Sequence, residues 1–245
     1  MGTITNGEKI DFAGIEAMLR GAVKDSQIIR EPIRSNLSTN DLKRVLMRIG
    51  ESKCAPAKFI IDDDNRFVYE NFFKWAIGDS SLKAVNPISG ETIDGSLTKG
   101  IYICGPTGTG KTMCLNILRA FLNALGVMVS MPGRGRYMLA WTTFFATDVS
   151  QRMQDYGTAS WANDYPVLCL QDIGSEVQTV SHFGTKSNAV EQIIQMRGEQ
   201  NLITVFSSNY RIKGIPYGSR IESRLCQMCN YYELRGEEIG RASCR

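Results

Sequence analysis

Apolar and polar positions change their period along the chain. Over roughly the first 94 residues they recur at helical spacing: Phe12, Ile15 and Leu19, then Leu42, Val45, Leu46 and Ile49, with Ser38, Thr39 and Asn40 ahead of the second set as capping candidates. A denser apolar helix follows from Phe67 to Ile77, and Asn86-Pro-Ile-Ser-Gly90 through Asp94-Gly95 is punctuated like a loop before a first core strand. Beyond residue 95 short apolar runs alternate with helical stretches. A strand is expected at Ile101 to Cys104, a helix at 111–125, a strand at Val127 to Met131 and a Gly/Arg loop at Pro132-Gly-Arg-Gly-Arg136. An apolar stretch at 138–145, a helix at 147–156, a strand at Val167 to Leu170, a helix at 188–197 and a strand at Leu202 to Phe206 continue the alternation. Strands separated by helices predict an α/β fold, a parallel sheet with helices on both faces, preceded by a mostly helical N-terminal region.

Composition narrows this picture only slightly. A chain of 245 residues, 43% hydrophobic and 22% charged, is ordinary globular material with room for one large domain and a small one. The net charge of +3 is too small to demonstrate nucleic-acid binding by itself. Lys43, Arg44, Arg48, Lys53 and Lys58 tint the N-terminal half basic, which fits a solvated helix face as well as a binding patch. No apolar run approaches the 18 or so residues of a membrane helix, and Met1 to Asn6 has neither a signal-peptide core nor a myristoylation pattern, so a cytoplasmic protein with no membrane partner is expected. Seven cysteines, with Cys104, Cys114 and Cys169 in core-like runs, suit reduced thiols better than a disulfide framework. Cys226 and Cys229 form a C-x-x-C, but His182 is the single histidine and zinc is not expected.

The densest chemistry lies in Gly105-Pro-Thr-Gly-Thr-Gly-Lys-Thr112, a complete G-x-x-x-x-G-K-T phosphate-binding loop between an apolar strand and an apolar helix. Its glycines let backbone N–H groups face inward, and the new helix points its positive end at the same spot, so a nucleoside triphosphate is the natural occupant. Gly105, Pro106, Thr107, Gly108, Thr109, Gly110, Lys111, Thr112 and Met113 are the candidate nucleotide-binding residues. Lys111 would reach the β and γ phosphates, and Thr112 would offer its hydroxyl to Mg²⁺.

A phosphate loop needs an acid at the tip of a neighbouring strand to hold the metal and its waters. Val167-Leu-Cys-Leu-Gln-Asp-Ile-Gly174 supplies one, Asp172. This segment resembles that of AAA+ ATPases, with Gln171 where the first, metal-facing acid normally stands. Either Asp172 serves the metal, or metal binding is weak and Asp172 polarises the attacking water. Glu176 is a candidate helper or a surface acid. Asn209, at the end of Leu202-Ile-Thr-Val-Phe-Ser-Ser-Asn209, resembles the sensor residue of the same enzymes; the alternative is a turn-forming asparagine. In Tyr217-Gly-Ser-Arg-Ile-Glu-Ser-Arg-Leu-Cys-Gln-Met228, Arg220 and Arg224 share a helix face. Their spacing resembles an arginine-finger box, Arg220 as finger and Arg224 in support, or else an ordinary salt-bridged pair.

With the Ser181-His-Phe-Gly184 segment, Arg197 and Glu233-Leu-Arg-Gly236, these motifs make residues 67–237 similar to the AAA+ core of the DnaC/IstB-like family of helicase loaders and mobile-element proteins. The resemblance implies an ATPase using ATP and Mg²⁺, assembled as a ring or helical filament of its own copies. It implies a replicative helicase and single-stranded DNA as partners, or a transposase on duplex DNA in the IstB-like alternative. A nucleotide-binding scaffold without turnover is a third possibility, raised by Gln171. Arg134, Arg136 and Arg152, with Tyr137 beside them, stand where this family contacts DNA. Residues 1–66 are expected to form an N-terminal helical region that binds a partner. Residues 238–245 resemble a translated sequencing adapter and are set aside as non-native.

Overall fold

The computed structural model describes residues 28–33, 36–176, 180–182, 185–236 and 243–244; the apolar set Phe12, Ile15 and Leu19 lies outside the described residues. In chain order, β1 (Ile29–Arg30) is followed by α1 (Thr39–Cys54), β2 (Lys58–Phe59), α2 (Arg66–Ile77), β3 (Lys83–Val85), β4 (Thr92–Asp94), β5 (Gly100–Cys104) and α3 (Lys111–Leu125). Then come β6 (Met128–Met131), β7 (Gly135–Met138), β8 (Thr142–Phe145), α4 (Ala146–Tyr156) and a 3-10 turn at Ser160–Asp164. The remainder comprises β9 (Leu168–Gln171), β10 (Val180–His182), β11 (Thr185–Ser187), α5 (Ala189–Glu199), β12 (Thr204–Ser208), α6 (Ser219–Met228), β13 (Cys229–Glu233) and β14 (Ser243–Cys244).

The main sheet has the order β4-β3-β13-β5-β12-β9-β8. From β13 to β8 every neighbouring pair is parallel, with Ser208 opposite Cys104, Leu170 opposite Phe206 and Gln171 opposite Phe145. Alternation along the strands sorts side chains onto two faces. Ile101, Ile103, Cys169 and Val205 pack against α1, α2 and α3, while Tyr102, Leu168, Leu170 and Phe206 pack against α4, α5 and α6. Burial on both faces explains why these strands read as continuous apolar runs. Each fully buried Leu, Ile or Phe contributes about 1.5–3 kcal/mol of hydrophobic stabilisation.

Three sequence expectations are corrected. The 127–131 strand forms, but β6 joins a small sheet, β1-β6-β7, and the edge of the main sheet is β8. The region expected as a loop before the first core strand folds as the antiparallel hairpin β3–β4, stapled by its Asn86 to Glu91 turn and paired to β13. Cys54 is disulfide-bonded, whereas Cys104, Cys114, Cys169, Cys226 and Cys229 are free. Backbone pairing places β14 beside β2. Ser38 caps α1, its hydroxyl accepting from the Asp41 N–H. Leu42 and Leu46 then join the same core as Leu115 and Leu118 of α3, so α1 is packed on the phosphate-loop helix.

Arg197 ties the far side of the sheet together. It is wholly buried and donates to Thr204 Oγ1 (2.8 Å) and to the carbonyls of Ala162 (2.6 Å), Tyr165 (2.7 Å), Ile203 (2.9 Å) and Pro166 (3.3 Å). Burial, and then the Arg134 charge, push its pKa down to about 9. α5, the 3-10 turn and the starts of β9 and β12 therefore share one polar anchor. Arg197→Met, which keeps volume but strands these acceptors, is expected to cost about 3 kcal/mol or more in urea unfolding. A loss below about 1 kcal/mol would remove Arg197 as the anchor.

Candidate functional site

β5 delivers the chain to the phosphate loop, and positive φ angles at Gly108 (83°) and Gly110 (87°) curl it back before α3 begins. The loop bounds a cavity of about 480 Å³, lined by Thr107, Gly108, Gly110, Lys111, Thr112, Met113, Asn116, Asp172, Ser175 and Asn209. Gly105 and Pro106 contribute carbonyls behind it. Lys111 is buried, and its ammonium donates to Gly105 O (2.7 Å), Pro106 O (2.8 Å) and Asn209 Oδ1 (2.8 Å). Burial holds its pKa below the usual lysine value, and the negative charge of Asp172 works in the opposite direction. All three ammonium protons are thus satisfied by neutral oxygens, which an anionic phosphate can replace with stronger, charge-assisted bonds.

Asp172 lies one residue past β9, in the left-handed region at φ 57°. Its N–H donates to Ser207 Oγ (3.0 Å) and its carbonyl accepts from Ser175 Oγ (2.5 Å), so the unusual conformation is held from both sides. Gln171 is placed differently. It is 1% exposed, is not among the cavity-lining residues, and its Oε1 has no hydrogen-bond partner among the described residues. Thr112 and Asp172, both lining the cavity, are oxygen donors of the kind Mg²⁺ takes.

Asn209 follows β12, and the parallel register brings it level with the loop. The two arginines of α6 lie outside the nucleotide cavity. Arg220, in the first turn of α6, is exposed, and its side chain makes no hydrogen bond or ion pair with any described residue. Arg224 is half-buried, reaches Gln227 Oε1 (3.3 Å), and borders a cavity of about 510 Å³ with Lys99, Gly100 and Leu202 at the opposite, amino edge of the sheet. Neither arginine makes an ion pair with a described carboxylate, and the shared helix face does not bring the two to one cavity.

The proposed DNA-contacting arginines are largely engaged within the chain. Arg134 donates to Asn163 O and Gln200 Oε1, both at 2.5 Å, and Arg152 lies over the rings of Phe144 (4.8 Å) and Trp161 (5.0 Å). Tyr137 donates to the Arg134 carbonyl. Arg136 pairs with Glu31 at the surface, Nη2 to Oε2 being 2.7 Å.

Glu176 is not a surface acid. It is 5% exposed, accepts from Tyr217 O–H (2.5 Å) and, through its other oxygen, from Gly174 N–H (2.8 Å). Asn116 and Ser175 were also missed. Asn116 falls four positions after Thr112, so helical spacing alone would have placed it on the nucleotide face; no local pattern marked Ser175.

Fold and site together define an α/β architecture of the P-loop nucleoside-triphosphatase kind, a mostly parallel sheet with helices on both faces and a phosphate loop at its carboxyl edge. Among solved structures, DnaI is similar at 17% identity and a TM-score of 0.50, over 77% of this chain and 92% of that one. The DnaC helicase loader has 20% identity, a TM-score of 0.47 and coverage of 77% and 99%. AMPPCP-bound DnaA from Aquifex aeolicus has 18% identity, a TM-score of 0.46 and coverage of 72% and 48%. No protein-family model and no curated protein sequence matches the chain.

If the cavity takes a triphosphate, Lys111→Ala should lower affinity for a labelled ATP analogue about 100-fold, since a charge-assisted contact to phosphate is lost. Unchanged affinity in a folded variant would remove the phosphate loop from the site.

Proposed function

We propose that this chain is an ATP-hydrolysing replication protein of the helicase-loader kind, acting on a replicative helicase at single-stranded DNA. The observation that carries the ATPase reading is the convergence of Lys111, Thr112, Asp172 and Asn209 on one cavity. The motif resemblance carries the replication role. Lys111 and the loop N–H groups grip the β and γ phosphates; on binding, Lys111 exchanges its carbonyl partners for phosphate oxygens and releases Asn209 toward the γ phosphate. Thr112 and Asp172 would hold Mg²⁺, which would supply positive charge beside the transferred phosphoryl group. Asp172 also orients the attacking water. Gln171, buried away from the cavity, takes no part.

The same burial of Gln171 favours one second reading, a nucleotide-binding scaffold with little turnover. ATPase activity of the parent chain separates the two.

Arg220 is assigned to the neighbouring subunit's ATP, because it is exposed, has no side-chain partner among the described residues and lies outside its own cavity. Such a contact is head-to-tail and generates a ring or an open helical filament. Mixing Arg220→Ala with Lys111→Ala chains, each inactive alone, should restore roughly a quarter of parental turnover, the share of random interfaces that unite an intact loop with an intact arginine. A dead mixture of folded, co-assembled chains would overturn the assignment.

For DNA, Arg136 is the available contact of the three. Its pair with Glu31 is exposed, so a phosphate can compete for the guanidinium, whereas Arg134 and Arg152 hold the fold. Single-stranded DNA affinity should fall with salt at a log–log slope of about −0.7 per phosphate neutralised, and Arg136→Ala should flatten that slope. Salt-independent binding would contradict phosphate contact.

A further inference from the structure

We propose that Glu176 and Tyr217 form a clasp that positions Arg220, anchoring the arginine's helix to the loop that carries Asp172. Arg220's action on a neighbouring subunit, proposed above, is the premise; the clasp adds how its position is set.

The clasp is a closed ring of three hydrogen bonds. Tyr217 O–H donates to Glu176 Oε1 (2.5 Å), while Gly174 N–H donates to Tyr217 Oη (2.6 Å) and to Glu176 Oε2 (2.8 Å). Both side chains are buried, Glu176 at 5% and Tyr217 at 7% exposed. A buried carboxylate or phenol is costly unless paired, and a residue serving packing alone could be Phe. At one end of the clasp stands Asp172, two residues before Gly174. At the other stands Arg220, three residues after Tyr217, in the opening turn of α6.

The backbone is shaped for this contact. Gly174 has φ 90°, and a Cβ there would stand 2.9 Å from the Tyr210 ring and 3.3 Å from Pro216, so only glycine lets the loop come close enough to present its N–H. Ser208 Oγ donates to Ile173 O (2.6 Å) and Ile173 N–H to Ser207 O (3.0 Å), fixing the loop to β12. The Arg220 side chain has no partner among the described residues, so its placement depends on its helix, whose opening turn is held by buried Ile221 from within and by Tyr217, the buried polar anchor just ahead of it. A displacement of about 1 Å at a charge-stabilising group costs about 100-fold in rate, which gives a positioning residue kinetic weight without substrate contact.

The test uses Tyr217→Phe, which removes only the hydroxyl, and Glu176→Gln, which keeps size and one acceptor oxygen. In the full chain each should bind a labelled ATP analogue like the parent but turn ATP over about 100-fold more slowly. Mixing identifies where the defect lies. Lys111→Ala subunits, which bring an intact clasp and Arg220 but no working phosphate loop, should restore each variant; Arg220→Ala subunits should not. Should Tyr217→Phe fail to fold, Glu176→Gln carries the same comparison. Parental turnover in both variants would overturn the clasp. So would a defect that Lys111→Ala subunits leave in place while they still rescue Arg220→Ala, because the fault would then lie within the variant's own site. If Lys111→Ala rescues no Arg220→Ala chain either, the trans assignment fails first and the clasp falls with it.

Discussion

Parallel pairing of β5 with β12, and of β12 with β9, is the constraint on which the site depends. Strands that run the same way end on the same edge, so one geometric rule delivers the phosphate loop after Cys104, Asn209 after Ser208 and Asp172 after Gln171 to a common rim. At the start of β5 the fit is tight: a Cβ on Gly100 would come within 1.9 Å of the Thr204 carbonyl. Register and site therefore rise or fall together. A slip of one residue between β5 and β12 would exchange the two faces of the sheet and pull Asn209 off the Lys111 ammonium.

Three cations show how environment divides labour among similar side chains. Arg197 is sealed among carbonyl and hydroxyl acceptors, with no carboxylate among its hydrogen-bond partners, and serves the fold. Lys111 is buried as well, but its neutral partners belong to a loop whose cavity admits a stronger anionic one. Arg220 is exposed, and its side chain has no partner among the described residues. Satisfied burial gives rigidity, exchangeable burial gives a binding site, and exposure without a partner leaves a charge for another molecule.

Much of this was legible where a local pattern sufficed. The glycine spacing of residues 105–112, the apolar runs of β5, β9 and β12, and the helical spacing of Leu42 and Leu46 each encode their own structure within a few residues. What escaped depended on distant partners. Whether the 127–131 strand enters the main sheet is decided by its pairing with Arg30 and Tyr137, which no period reveals. Arg134 and Arg136 look alike in sequence, yet one meets the carbonyl of Asn163 and the other Glu31. Glu176 reads as a surface acid because its phenolic partner lies 41 positions away.

Gln171 and Asp172 show how a one-residue shift can leave the chemistry in reach. A strand-end side chain points to one face, and at 171 that face is the packed interior, where a carboxylate would have to shed its water. The next residue leaves the strand in a left-handed turn held by Ser207 and Ser175, and this turn puts Asp172 on the cavity wall. The conformation that permits this costs on the order of 1 kcal/mol at a non-glycine residue, and the two serine hydrogen bonds offset it. The acid of this segment therefore stands on a loop rather than on the strand, and its position is only as well defined as the hydrogen bonds that hold it. Ser207 and Ser175 supply those bonds at residue 172 and Ser208 ties down Ile173 beside it, so in this chain the placement of the Asp172 carboxylate is set by side chains around residues 172–175 as well as by the sheet.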